Sequence, residues 1–152
     1  MRTSIVYLAI VFVLSLFISN DVSAQRGMRW RGSSGWGQRG QYQRLYDLKT
    51  VESIAGEVLQ IDRITPMKGM SAGVHLVLKK ANGEMSVHLG PEWYIEHQDF
   101  EIKVGDKLEV TGSKVTFQGK PAMIAAEVKK NHDVLKLRDE NGFPFWSGRY
   151  QR

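Results

Sequence analysis

The sequence predicts an all-β domain: a five-stranded Greek-key barrel with one short helix and a flexible N-terminal arm. Three observations predict it. Apolar and polar residues alternate through residues 50–139, which is the period of a half-buried strand. Glycine-centred turn signals recur at short intervals along the same stretch. The 128 residues that follow the leader suffice for one core and not two.

The leader comes first in the chain. Arg2 precedes a 14-residue apolar run, Ile5 to Ile18, broken only by Ser15. Val22-Ser23-Ala24 then offers a cleavage site after Ala24. Residues 1–24 therefore read as a secretory signal peptide. The run is short for a membrane span, which needs roughly 18–20 apolar residues; an uncleaved anchor is the competing reading. The chain has no cysteine, which excludes disulfides, thiolate metal sites, a cysteine nucleophile and lipid attachment at a cysteine. An exported domain without disulfides suits a bacterial periplasm.

The formal charge of +5 is unevenly placed. Residues 45–152 hold 15 Lys+Arg and 15 Asp+Glu, so the domain is neutral. Residues 25–44 hold five arginines (Arg26, Arg29, Arg31, Arg39, Arg44) and no acid. This Gly-, Ser- and Gln-rich stretch shows no apolar periodicity and reads as a flexible, disordered arm. Trp30, Trp36 and Tyr42 punctuate it. Arginines interleaved with aromatics suit an anionic envelope surface or a protein partner; a solvated linker is the plain alternative. Nucleic acid is disfavoured, because its affinity comes largely from clustered basic charge that the domain lacks.

The domain, residues 45–152, begins with a long strand over Ser53 to Arg63, with Gly56 marking a bulge or bend. Thr65 to Ser71 is a loop. Gly73 to Ala81 and Glu84 to Leu89 are strands around Asn82-Gly83, a strong signal for a two-residue type I′ turn. Gly90 to Gln98 supplies one or two helical turns, with Pro91 suited to the first helical position and Trp93 or Tyr94 directed at the core. Lys107 to Phe117 and Pro121 to Lys130 are strands around Gln118-Gly119-Lys120, and Val134 to Asp139 is a short last strand. A long bent first strand, and a helix between strands three and four, describe the OB-fold. An SH3-like barrel or a small sandwich is the alternative architecture.

Val-His-Leu occurs twice, at 74–76 and 87–89. A turn at Asn82-Gly83 pairs Val77 with His88 and His75 with Gly90. Alternation then puts Val74, Leu76, Leu78, Met85, Val87 and Leu89 inward. His75, Val77, Lys79, Ser86 and His88 face outward, with the two histidines as diagonal neighbours. That outer face, with Lys68 at its rim, is the candidate ligand surface. The alternative is a Cu, Zn or Ni site using His75 and His88, with His97, Met67 or Met70 as further ligands. No spacing here matches an established metal motif. No nucleophile elbow, phosphate loop or dinucleotide fingerprint occurs, so the expectation is a non-enzymatic protein without an organic cofactor.

Four segments carry a resemblance: Gly73-Val-His-Leu76, Val87-His-Leu-Gly-Pro-x-Trp-Tyr94, Gly105-Asp-x-x-Glu-Val-Thr-Gly-Ser113 and Leu137-Arg-Asp-Glu-Asn-Gly-x-Pro-x-Trp-Ser-Gly148. Over roughly residues 45–149 the domain resembles a family of small exported bacterial OB-fold-like proteins to which no activity is attached. In layout it is distantly similar to periplasmic bacterial OB-fold proteins linked to stress responses and to small-ligand or cation binding. That second likeness implies no functional residue. Phe143, Phe145 and Trp146 in the last segment read as a plug returning to the barrel, with an exposed aromatic platform as the alternative.

Overall fold

A computed structural model describes residues 34–147. The signal peptide, its cleavage site, Arg26, Arg29 and Arg31 lie outside the described residues. Six strands follow one another: β1 (Val51–Ile64), β2 (Gly73–Lys80), β3 (Gly83–Pro91), β4 (Lys107–Phe117), β5 (Lys120–Lys130) and β6 (Asp133–Lys136). A single short helix, α1 (Glu92–Ile95), lies between β3 and β4. The sheet order is β3-β2-β1-β4-β5-β6, and a parallel β3–β5 pairing closes the ring. A five-stranded ring in the order 1-2-3-5-4, with its helix after the third strand, is the OB-fold. β6 pairs with the second half of β5, beyond the part that meets β3.

β1 can belong to both halves of the ring because it bends. Val51–Glu57 pairs with β4, and Glu57–Ile64 pairs with β2. Gly56 sits at the crossover, where an added Cβ would come within 2.7 Å of the Lys79 carbonyl oxygen. The glycine thus permits close approach, and the bulge itself falls between Val58 and Gln60. Inward residues from every strand form the core, including Val58, Leu76, Leu78, Val87, Leu89, Val110, Met123 and Val128. Trp93 and Tyr94 pack against it half-buried. Pro91 ends β3 in an extended conformation and precedes the helix rather than opening it.

The domain boundary predicted at residue 45 falls too late. Trp36 and Tyr42 are each only 2% exposed and belong to the main core cluster. Residues 34–46 form a strap held at both ends. Near its start, the Ser71 N–H donates to the Ser34 carbonyl, and the Trp36 indole N–H donates to the Ser71 carbonyl. Further on, Gln43 donates to the Gly142 carbonyl. The Trp36 ring lies against Gly73, where a Cβ would come within 2.5 Å of it. Polar composition hid this segment, because two aromatics spaced six residues apart supply enough buried surface to anchor it without any periodicity.

The C-terminal segment locks the strap. Trp146 is buried, meets Trp36 edge-on with centroids 6.4 Å apart, and donates its indole N–H to the Trp36 carbonyl. Arg138 is buried between the Tyr46 and Trp146 rings, 4.9 and 5.2 Å from their centroids. Its Nη1 donates to Gln43 Oε1 and to the Gly142 carbonyl. Burial lowers the guanidinium pKa to about 10, so it stays charged at neutral pH. The strap and the chain end are therefore one packed layer outside the barrel.

Candidate functional site

The turn between β2 and β3 sets the site. Lys80 pairs with Gly83, so Ala81 and Asn82 occupy the turn and Gly83, at φ +124°, opens β3. The predicted Asn82-Gly83 turn is thus displaced by one residue, and each residue from His75 to Lys80 meets a partner two places earlier in β3. A shift of two preserves the alternation, so the inward and outward sets are unchanged. Alternation alone cannot tell these two registers apart. The consequence is local: His75 pairs directly with His88, and the ladder slips by one beyond them, between His75 and Val74.

Outward direction does not mean exposure. His88 is only 3% exposed, because the strap's Tyr42 and the end of β4 cover it. The Tyr42 ring lies parallel to the imidazole, and Phe117 meets it edge-on at 4.8 Å. The Tyr42 hydroxyl lies 2.8 Å from His88 Nδ1. Burial raises the Tyr42 pKa, so the phenol stays neutral; its hydroxyl donates to Nδ1 in one imidazole tautomer and accepts from it in the other. In the first of these the imidazole proton is on Nε2. Burial, with His75 beside it, lowers the His88 pKa to about 4, so the ring is neutral at physiological pH.

His75 is half-buried, with its ring edge-on to His88 at 5.2 Å between centroids. Three strands meet on it. Its Nε2 makes a short hydrogen bond with Ser86 Oγ on β3. Its Nδ1 faces Asp62 Oδ2 on β1 at 3.7 Å, an electrostatic contact too long for a hydrogen bond. Asp62 is His75's Cα partner in the β1–β2 ladder. Burial lowers the His75 pKa, and Asp62 opposes the shift. Sequence reasoning named His75, Ser86 and His88 but passed over Asp62 and Tyr42. Asp62 could have been found by pairing β1 with β2; Tyr42 lay in a segment read as disordered.

A groove of about 540 Å³ opens beside these side chains, between β2–β3 and the β4–β5 turn. His75, Ser86 and His88 line it with Lys120, and Val77 and Phe117 supply apolar wall. The other predicted residues do not line it. Lys79 and Lys68 are exposed away from it. Met67 and Met70 pack half-buried against the core. His97 is exposed, with Nδ1 2.6 Å from the Trp93 carbonyl oxygen. The predicted five-residue metal set is therefore not assembled, and among the described residues no three His, Cys, Asp or Glu side chains converge. The reason is positional: the loop methionines and the helix histidine sit outside the stretch where β2 and β3 pair. A larger open depression, about 1200 Å³, lies by Tyr46, Arg138, Phe143 and Phe145. The aromatic chain end thus divides, with Trp146 packed inward and Phe143 and Phe145 at a surface concavity.

Fold and site together define an OB-fold protein whose outer β2–β3 face is half covered by its own strap and half open as a groove. The family is specific: the MamS/MamX magnetosome protein family model matches residues 50–135. The chain belongs to that family. It is also similar to solved structures at low identity. One is a replication protein A heterotrimer bound to ssDNA (16% identity, TM-score 0.42, covering 55% of this chain and 59% of that one). Another is the S. pombe Stn1–Ten1 complex (17%, TM-score 0.40, 60% of each chain). A third is the second OB-fold domain of replication protein A from Methanococcus maripaludis (24%, TM-score 0.39, 55% and 86%). The chain thus spans about three-fifths of the first two. No curated protein matches it. Among the described residues, no helix is long and apolar enough to cross a membrane.

Proposed function

We propose that the chain is an exported, periplasmic binding module whose ligand lies in the groove on the outer face of β2 and β3. The observation that carries this reading is the groove's position. In barrels of this topology ligands commonly lie across strands two and three and the loops beside them. Here that surface combines apolar wall with a few convergent polar groups, the usual make-up of a small-molecule site. The family name supports a place in the envelope or at the magnetosome. The neutral domain argues for a small ligand, an envelope polymer or a protein rather than nucleic acid. The arm's arginines (Arg26, Arg29, Arg31, Arg39, Arg44) suit contact with an anionic surface.

Acetanilide, a compact aromatic amide, is a suitable probe. Added to ¹⁵N-labelled mature protein, it is expected to move the amide signals of His75, Val77, Ser86 and Phe117. Val77→Trp fills the groove and should abolish the effect, while a twelve-residue oligothymidylate should leave these signals in place. Shifts confined to another face, or undiminished in the Val77→Trp protein, count against the groove.

One observation favours a second reading. The two imidazoles meet at 5.2 Å, and His75 Nδ1 is buried without a hydrogen bond, so a Cu, Zn or Ni ion could recruit both rings. Calorimetry with the three metals should then give heat that disappears in the His75→Ala, His88→Ala double variant. Absent heat, or heat that persists in the variant, removes this reading.

A further inference from the structure

One polar chain runs through the groove wall: Asp62, His75 and Ser86 on three adjacent strands, with His88 and Tyr42 beside them. The atoms are ordered in a particular way. The carboxylate faces His75 Nδ1, and the serine hydroxyl bonds the opposite ring nitrogen, Nε2. That is the sequence acid–imidazole–hydroxyl that activates a serine nucleophile on unrelated folds. The 3.7 Å Asp62 contact is loose, as such contacts often are before substrate binds. Partial burial lowers the His75 proton affinity, which favours the free base over the spent acid.

His88 supplies the remaining part. In the tautomer where Tyr42 donates to Nδ1, Nε2–H is a neutral donor on a ring that lines the same groove. A histidine held neutral by its surroundings can polarise a carbonyl without giving up its proton. Val77 and Phe117 offer apolar wall for an acyl group.

We infer that Ser86, His75 and Asp62 form a nucleophile–base–acid series that hydrolyses small carboxylic esters, with His88 as the oxyanion donor. Ser86 Oγ adds to the ester carbonyl carbon, and its proton passes to His75 Nε2. The carbonyl electron pair moves onto oxygen, toward His88 Nε2–H. As the adduct collapses, the bond to the alcohol oxygen breaks and His75 returns the proton to the departing alcohol. Water then adds to the acyl carbon, with His75 taking one proton. The Ser86–acyl bond breaks, the proton returns to Ser86, and the acid leaves. The sum is ester plus water giving acid plus alcohol. Asp62 and Tyr42 are positioning residues: one orients His75, the other sets the His88 tautomer.

The inference rests on the groove being a binding site, and it runs against the absence of any nucleophile motif in the sequence. The test uses mature protein with p-nitrophenyl butyrate, and phenylmethylsulfonyl fluoride as a covalent probe. Hydrolysis should exceed the buffer rate, fall by about 100-fold or more in His75→Ala, and vanish in Ser86→Ala. Peptide mass mapping should find the sulfonyl group on Ser86. Asp62→Asn should move the acid limb of the pH–rate profile to lower pH, since the carboxylate holds the His75 proton affinity up against the lowering effect of burial. Hydrolysis no faster in the wild type than in Ser86→Ala, or a sulfonyl group on another residue, overturns the assignment. The acetanilide shifts are measured alongside on the wild-type protein. Retained shifts without wild-type hydrolysis sink the chemistry alone, whereas lost shifts in the wild type sink the groove.

Discussion

Trp36→Ala is expected to destabilise the domain by about 3–5 kcal/mol, the range for truncating a buried tryptophan. The residue sits in a stretch with the composition of a linker, yet it is 2% exposed and touches four parts of the fold. Its ring packs on Gly73, Tyr42 and Trp146, its indole N–H donates to the Ser71 carbonyl, and its own carbonyl accepts from Trp146. Truncation leaves a cavity and breaks the indole hydrogen bond to Ser71. For a domain of this size, about 1 kcal/mol moves Tm by roughly 3–6 °C, so thermal unfolding should fall by 10 °C or more. Arg39→Ala, an exposed change three residues on, should stay within about 0.5 kcal/mol. If both variants melt with the wild type, residues 34–46 are a tether and not part of the core. If only Trp36→Ala falls, the boundary belongs before residue 36.

Acidification should unfold the protein through His88. In the unfolded chain a histidine takes up its proton near pH 6.5, whereas in the fold burial and His75 hold the His88 pKa at about 4. Between those values the unfolded state binds a proton that the native state refuses, so stability rises with pH. The contribution is fully present above about pH 6.5. It is lost progressively as pH falls, and levels off once the native ring also protonates near pH 4. A shift of this size corresponds to about 3 kcal/mol at most. His75 is shifted in the same direction and adds to the slope. Urea unfolding of the mature protein between pH 7 and pH 4 should show this loss. His88→Gln, which cannot titrate, should be less stable at pH 7, through the lost Tyr42 hydrogen bond, and flatter across the window. An equally steep dependence in His88→Gln would place the titrating group elsewhere.

Much of the barrel was legible because strands write their own pattern. Lys107 to Phe117 is a strand with those limits, and of the inward set of β2 and β3 Leu76, Leu78, Met85, Val87 and Leu89 are buried and Val74 half-buried, since alternation survives a two-residue slip of register. Gly56 was legible as a break in β1, although its role is close approach to Lys79 and the bulge lies beyond it. The site was legible only in part. His75, Ser86 and His88 stand on one face by periodicity, but Asp62 reaches them from another strand and Tyr42 from outside the barrel. Neither is announced by spacing, because both contacts depend on how separate segments meet. His97, Met67 and Met70 went astray for the same reason: nearness in sequence to a hairpin does not place a side chain over it.

The sequence by itself determined the class, the order of strands, which side chains turn inward, and a domain whose charges cancel. These follow from local rules, since a period of two and a turn every ten residues or so leave few ways to bury the apolar set. Tertiary structure alone decided that the outward face would be half dry. A phenol from the strap, which Arg138 and Trp146 hold in place, and the Phe117 ring at the end of β4 take His88 out of water. The same packing leaves Ser86 and His75 beside an open groove. Burial depends on what arrives from elsewhere in the chain, and no periodicity within a strand encodes that arrival.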